Sequence, residues 1–162
     1  MMSENKSAEQ LNMEDRINRY LAYTNDPVKG AGIMNMMQPS FVECDYEERT
    51  LILSYQIQPW QLNTQSVMHG GILTSAIDNC CVLMTHYYAG RSLITTIDME
   101  TRFLKPVFLT DTLYVEARAV SRGRKTVTYM CTAWTNDKKN PVAAASSTFM
   151  IIPEKETCVI ID

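Results

Sequence analysis

Residues 70–90 read GGILTSAIDNCCVLMTHYYAG, and their texture sets the expected fold. Apolar residues stand at 72, 73, 76, 77, 80 to 84, 87 and 88, which covers nearly every direction around a helix. A helix apolar all round is normally buried in a core. Gly70 and Gly71 open the segment, and Gly90 suits its C-terminal cap. Asp78 is the one acidic residue inside it.

Working outward, residues 7 to 23 read as a second helix, with Ser7 and Gln10 forming a capping box. Asn25-Asp26-Pro27 ends it, because the residue before proline is pushed out of the helical region. A loop through Gly30 and Gly32 follows. Strands are expected at 40–45, 49–58, 92–104, 111–121, 125–136 and 142–152, where apolar and polar residues alternate, as at Leu113, Val115, Ala117 and Ala119. Arg122-Gly123-Arg124 and the stretch 136–141 read as hairpin connections, so these neighbours are antiparallel. The order is helix, two strands, buried helix, four strands. This is an α+β arrangement in which a central helix is covered by a curved sheet.

Composition narrows the function. The 162 residues suit one domain, and a net charge of −3 argues against a broad nucleic-acid-binding face. The polar start MMSENKSAEQ reads as free of a signal peptide, and no stretch offers about 18 charge-free apolar residues for a membrane span. Five cysteines without CxxC spacing point to neither a disulfide framework nor a thiolate zinc site, and fit a reducing cytoplasm. Two histidines are too few and too far apart for a histidine-rich metal centre, so no metal is expected. GxSxG, GxxxxGK[ST] and HExxH are all missing.

The candidate chemistry gathers on the central helix. An unpaired buried carboxylate costs several kcal/mol or shifts its pKa upward, so Asp78 is either a satisfied structural acid or a working one. His69-Gly70-Gly71 either makes a sharp strand-to-helix turn or presents free amides to a developing oxyanion. Asn63, Thr95 and Thr96 are ordinary loop and strand residues on sequence alone. Arg122, Arg124 and Lys125 make a basic cluster, either a solvated hairpin or a phosphate contact. Cys80 and Cys81 read as inert packing.

Four stretches taken together, NDPVKGAGI, WQLNTQSVMHGGILTSAIDN, TTIDMETRFLKPV and SRGRKTV, resemble the hotdog-fold acyl-CoA thioesterases, of the phenylacetate-pathway and thioesterase superfamily member 2 type. The resemblance spans residues 25–152 as a hotdog domain of about six strands, with an N-terminal helix and leader at 1–24 and a tail at 153–162. It implies hydrolysis of an acyl-CoA thioester, with coenzyme A present only as part of the substrate. It also implies a homodimer joined sheet edge to sheet edge, possible pairing of dimers into tetramers, and active sites at the subunit interface.

Carried onto this chain, the resemblance makes Asp78 the general base or nucleophile. Gly70 becomes the amide that polarises the carbonyl, Asn63 a second holder of that carbonyl, and Thr96 a water-orienting hydroxyl. His69 and Gly71 shape the substrate site, and Arg122, Gly123, Arg124 and Lys125 face the coenzyme A phosphates. The chain departs from the family pattern at Thr64-Gln65-Ser66, where relatives carry a glycine, and at Thr110, where a glycine commonly precedes the aspartate. A hotdog module that only binds acyl-CoA is the alternative. A dehydratase is weaker, because no acid is paired with His69 or His86.

Overall fold

Ser7 caps the first helix, accepting a hydrogen bond from the Gln10 amide at 3.1 Å. The computed structural model describes residues 6–136 and 140–153, and places this helix, α1, at Ala8–Thr24. Most of the tail expected from 153, and residues 1–5 of the leader, lie outside the described residues. Only half of the expected capping box forms. The Gln10 side chain instead donates to the Cys44 carbonyl at 2.7 Å and accepts from the Tyr46 amide at 2.8 Å. That pairing satisfies backbone groups at the end of the first strand, so it outcompetes a return to Ser7. Met13, Ile17 and Leu21, four residues apart, are the buried stripe of α1.

The segment expected as a glycine loop contains a short helix, α2, at Gly32–Met37. Six residues carry too little periodicity to be read from sequence, and such a helix depends on tertiary contacts. One is the Asn79 amide on the central helix, which donates to the Met37 sulfur at 3.7 Å.

Six strands follow the expected pattern to within two residues at each end: β1 Ser40–Asp45, β2 Thr50–Gln56, β3 Leu93–Phe103, β4 Thr112–Arg122, β5 Thr126–Thr135 and β6 Pro141–Ile152. They form one antiparallel, curved sheet in the order β1-β2-β4-β5-β6-β3. The long helix α3, Gly70–Ala89, lies against it. Leu73, Ala76, Ile77, Cys80, Cys81, Leu83 and Met84 are buried and join Leu53, Val115, Ala117, Tyr129 and Phe149 in a single core. Burial is not uniform around α3, as its all-apolar surface had implied. Ser75, Asp78, Val82 and His86 form a half-buried stripe. The sheet covers one side of the helix, and α1 reaches only its later turns, through Tyr20 against His86.

β3 is an edge strand with an irregularity that matters for the site. Thr96 pairs with Phe149, but Asp98 pairs with Thr148, so Ile97 is an extra residue. Strand side chains alternate between faces, so this insertion reverses the alternation. Thr96 faces α3 before the bulge, and Met99, Thr101 and Phe103 face it afterwards. Without it, Asp98, Glu100 and Arg102 would turn inward. Among the described residues, no helix is long and apolar enough to cross a membrane.

Candidate active site

A helix start leaves its first four amides without intrahelical acceptors. In α3 these belong to His69, whose amide donates to the Gln61 carbonyl at 2.8 Å, and to Gly70, Gly71 and Ile72, of which His69 satisfies the last two. Its Nδ1 accepts from the Gly71 amide at 3.0 Å, and its carbonyl accepts from Ile72 at 2.9 Å and Leu73 at 3.0 Å. The remaining one, the Gly70 amide, has no acceptor among the described residues. The geometry therefore singles out one free donor at the positive end of a 20-residue helix. With Nδ1 accepting, the neutral ring carries its proton on Nε2, an assignment made from hydrogen-bond geometry.

His69 thus shapes the turn. Asparagine is also a good cap, so His69→Asn is expected to keep turnover within about threefold and lower Tm by no more than a few degrees. A loss near a hundredfold would make the imidazole itself a proton carrier.

A side chain at Gly70 would press on a movable neighbour. A Cβ there would come within 3.0 Å of the Phe103 ring, which packs over the bare backbone. Phe103, 54% exposed, borders an apolar cavity of about 340 Å³ together with Met68, Gly70, Leu73 and Val107.

Asp78 lies two turns further along α3. Its Oδ1 accepts a hydrogen bond from the Thr96 hydroxyl at 3.0 Å, joining the central helix to β3. Burial pushes the Asp78 carboxyl above its ordinary pKa, and the Thr96 bond pulls it back down. The titratable groups whose pKa responds to Asp78, Tyr55 and Cys81, are themselves pushed well up by burial and stay neutral. Asp78 is a carboxylate in an apolar setting, steadied by one hydroxyl.

Asn63 uses its side-chain oxygen locally, accepting from the Gln65 amide at 2.8 Å and the Val67 amide at 3.4 Å. Its Nδ2 has no acceptor among the described residues. In this loop Ser66 takes φ 61°, a left-handed conformation that glycine adopts most readily. The departure Thr64-Gln65-Ser66 therefore keeps a left-handed turn and builds it from serine.

The structure brings some expected residues together and separates others. Thr96 meets Asp78, and His69, Gly70 and Gly71 form one turn. Gly70 and Asp78 are eight residues apart on one straight helix, roughly 12 Å at 1.5 Å per residue. Arg122 points elsewhere: its guanidinium stacks over Tyr88 at 4.4 Å, in a pocket of about 130 Å³ shared with Tyr46, Glu47 and Arg49. Tyr88 is ten residues beyond Asp78, roughly 15 Å along the axis. The Gly123 amide closes the hairpin on the Thr126 carbonyl at 2.8 Å, and the Lys125 carbonyl accepts from Ile151 at 2.7 Å. Arg124 is exposed.

Cys80 and Cys81 are fully buried, with thiols pushed up by desolvation, as packing residues should be. Among the described residues, no group of three or more His, Cys, Asp or Glu could hold a metal ion. Sequence reading missed Phe103 over Gly70, and Arg49 beside Arg122. Both contacts join chain-distant residues, and no local pattern announces them.

Comparison with known proteins agrees with the fold. Residues 65–142 match the model of the family described as "Thioesterase superfamily". No curated protein matches the chain. Among solved structures, the PaaI protein from the phenylacetic acid degradation operon of Escherichia coli superposes with a TM-score of 0.75 at 18% identity, covering 90% of this chain and 97% of that one. A mutant thioesterase of Pseudomonas aeruginosa superposes with a TM-score of 0.72 at 15% identity, covering 83% and 93%. A Streptococcus mutans protein, solved with acetyl CoA bound, reaches a TM-score of 0.61 at 25% identity, covering 69% and 88%.

Proposed function

We propose, on the premise that the chain belongs to the thioesterase superfamily and is a thioester hydrolase, that its substrate is an acyl-CoA, hydrolysed to the free acid and coenzyme A. The observation that carries this reading is the pair of poised groups on α3. One is the Gly70 amide, the one at the helix start with no acceptor among the described residues; the other is the half-buried carboxylate of Asp78, held by Thr96. Thioester hydrolysis needs a donor for the oxygen that gains charge and a base or nucleophile beside the carbonyl carbon.

In this mechanism the thioester oxygen accepts from the Gly70 amide, helped by Asn63 Nδ2. Asp78 takes a proton from water as water adds to the carbonyl carbon. The tetrahedral intermediate then expels the coenzyme A sulfur, which leaves as the thiol with that proton. Alternatively Asp78 attacks the carbonyl carbon directly and expels coenzyme A as the thiolate, giving an anhydride that water opens to the free acid and the regenerated carboxylate, with the released proton taken up by the thiolate. In a single turnover in ¹⁸O-labelled water, label in Asp78 identifies the second route, with water opening the anhydride at the Asp78 carbonyl. The acyl group enters the cavity beside Phe103, and the exposed Arg124 is the hairpin cation assigned to the coenzyme A phosphates, since Arg122 is turned onto Tyr88.

Within one chain, Gly70 and Asp78 are too far apart to serve one carbonyl, since each must come within about 3 Å of the reacting group. The site is therefore composite, with Gly70 and Asn63 of one subunit facing Asp78 and Thr96 of a second. The free edge of β3, 11 residues long, offers unpaired backbone groups for joining two sheets, and it carries Thr96. A dimer, or a dimer of dimers, is the functional unit. The buried free thiols at 44, 80, 81 and 131 fit a reducing cytoplasm.

The first test offers the purified protein short, medium, long and aromatic acyl-CoAs and measures thiol release. No turnover of any member overturns the substrate assignment. The second co-expresses an inactive Asp78→Asn chain with an inactive Gly70→Pro chain. Half of randomly paired dimers are hybrids, each with one intact composite site of two, so about a quarter of wild-type turnover should return. No recovery in verified hybrid dimers would place both groups in one chain's site.

A further inference from the structure

The bulge directly after Thr96, whose hydroxyl meets Asp78, is held by a residue that makes no hydrogen bond to either of them among the described residues. Ser147 on β6 is 0% exposed, and its hydroxyl donates to the Asp98 carbonyl at 2.8 Å. Asp98 is the first residue after the extra Ile97, where the β3–β6 register changes by one. An inserted residue disrupts the ladder locally, so a bulge persists where other groups hold it. On the other side of Ile97, Thr96 is paired with Phe149 and bonded to Asp78 at 3.0 Å. Ser147 and Thr96 thus grip the two flanks of one backbone irregularity.

We propose that Ser147 is a positioning residue for hydrolysis: by holding the Asp98 carbonyl it fixes the Ile97 bulge, and with it the backbone beside Thr96 from which the hydroxyl reaches Asp78. This rests on the assignment of Asp78 as the working carboxylate. Loss of the Ser147 hydroxyl frees the carbonyl, lets β3 relax around Ile97, and loosens the Thr96 bond. Removing a donor from a carboxylate favours its protonated form.

The groups around Asp78 do not obscure this effect. β2 presents Tyr55 and the helix itself presents Cys81, both neutral. On β3, the register places Asp98, Glu100 and Arg102 on the opposite face of the sheet.

The test measures Ser147→Ala, Thr96→Ala and the double variant in the full-length protein. The substrate is the acyl-CoA that the wild type hydrolyses best. Two readouts are needed: the pH profile of kcat/KM, and the Asp78 pKa by ¹³C NMR of labelled aspartate. Thr96→Ala should move the acid limb upward by roughly half a pH unit to one unit and lower kcat about tenfold. Ser147→Ala should move the limb in the same direction by a similar or smaller amount. Adding Ser147→Ala to Thr96→Ala should move it no further, because the pathway through Thr96 is already cut.

A limb left at its wild-type position in folded Ser147→Ala, or shifts that simply add in the double variant, overturns the proposal. If Ser147→Ala does not fold, Ser147→Cys supplies the same test: its weaker donor should give an intermediate shift, and no shift overturns the proposal. The two assignments fail separately. Asp78→Asn with full activity overturns the carboxylate's role, whereas an essential Asp78 with an unmoved limb in the Ser147 variants overturns only the role of Ser147.

Discussion

Asp78→Asn is expected to lower kcat/KM about a thousandfold while leaving the fold intact and raising Tm at neutral pH. The loss follows from the proposed role, since a positioned general base contributes about 10²–10⁴ in rate and the amide cannot take a proton. The gain in stability follows from linkage. Burial raises the folded pKa of Asp78 above its unfolded value, against the smaller opposing pull of Thr96. A carboxyl with a raised folded pKa destabilises the fold when ionised. That cost is fully present above the folded pKa and is gone below the unfolded one. Asparagine removes the cost, so the Tm difference between variant and wild type should shrink as pH falls into the carboxylate range.

Wild-type activity should follow the opposite course, held above the folded pKa of Asp78 and lost as pH falls through it. Thermal melts from pH 8 to pH 4 and a pH–rate profile check both signs. An Asp78→Asn variant that is both less active and less stable at neutral pH would make Asp78 a structural acid.

Gly70→Pro is expected to fold and to lose about a hundredfold or more in kcat, whereas Gly70→Ala keeps most of it. Proline is well suited to the first position of a helix, where its missing N–H and fixed φ cost little. The preceding residue must be extended, and His69 already is, at φ −63° and ψ 133°. Either side chain meets the Phe103 ring, the end of a half-exposed side chain that has room to move. The two variants therefore crowd the cavity alike, and they differ in the one amide that has no acceptor. Removing a single oxyanion donor ordinarily costs 10²–10³ in rate. Equal losses in the two variants would assign the effect to crowding by Phe103 and remove the Gly70 amide from the mechanism.

The two α3 variants also show how far the site was legible. His69-Gly70-Gly71 and Asp78 stand out because each is a local anomaly: glycines at the start of an apolar helix, and one acid within it. Their separation was readable too, since helix rise converts eight residues into a distance. The use of each amide was not readable. It depended on the His69 side chain turning back to accept from Gly71, which leaves Gly70 as the one amide at the start of α3 without an acceptor among the described residues. Asn63 was legible only as a loop residue, because its side-chain oxygen closes its own turn and its free nitrogen is a property of that geometry. The basic hairpin read as one cluster. In three dimensions Arg122 separates from Arg124 and joins Arg49, since a cation over Tyr88 gains more than one left in solvent.

By itself the sequence determined the elements and their class. An all-round apolar helix and six alternating strands are local patterns, and each needs only its own residues to be read. The tertiary structure decided which residues meet. Thr96 and Asp78 are eighteen positions apart, and their contact depends on strand register, which a single inserted residue reverses. Read as a plain alternating strand, TTIDMETRF sends Thr96 and Glu100 to the same face. The bulge at Ile97 sends them to opposite faces, and only pairing with β6, with Ser147 holding the Asp98 carbonyl, brings it about.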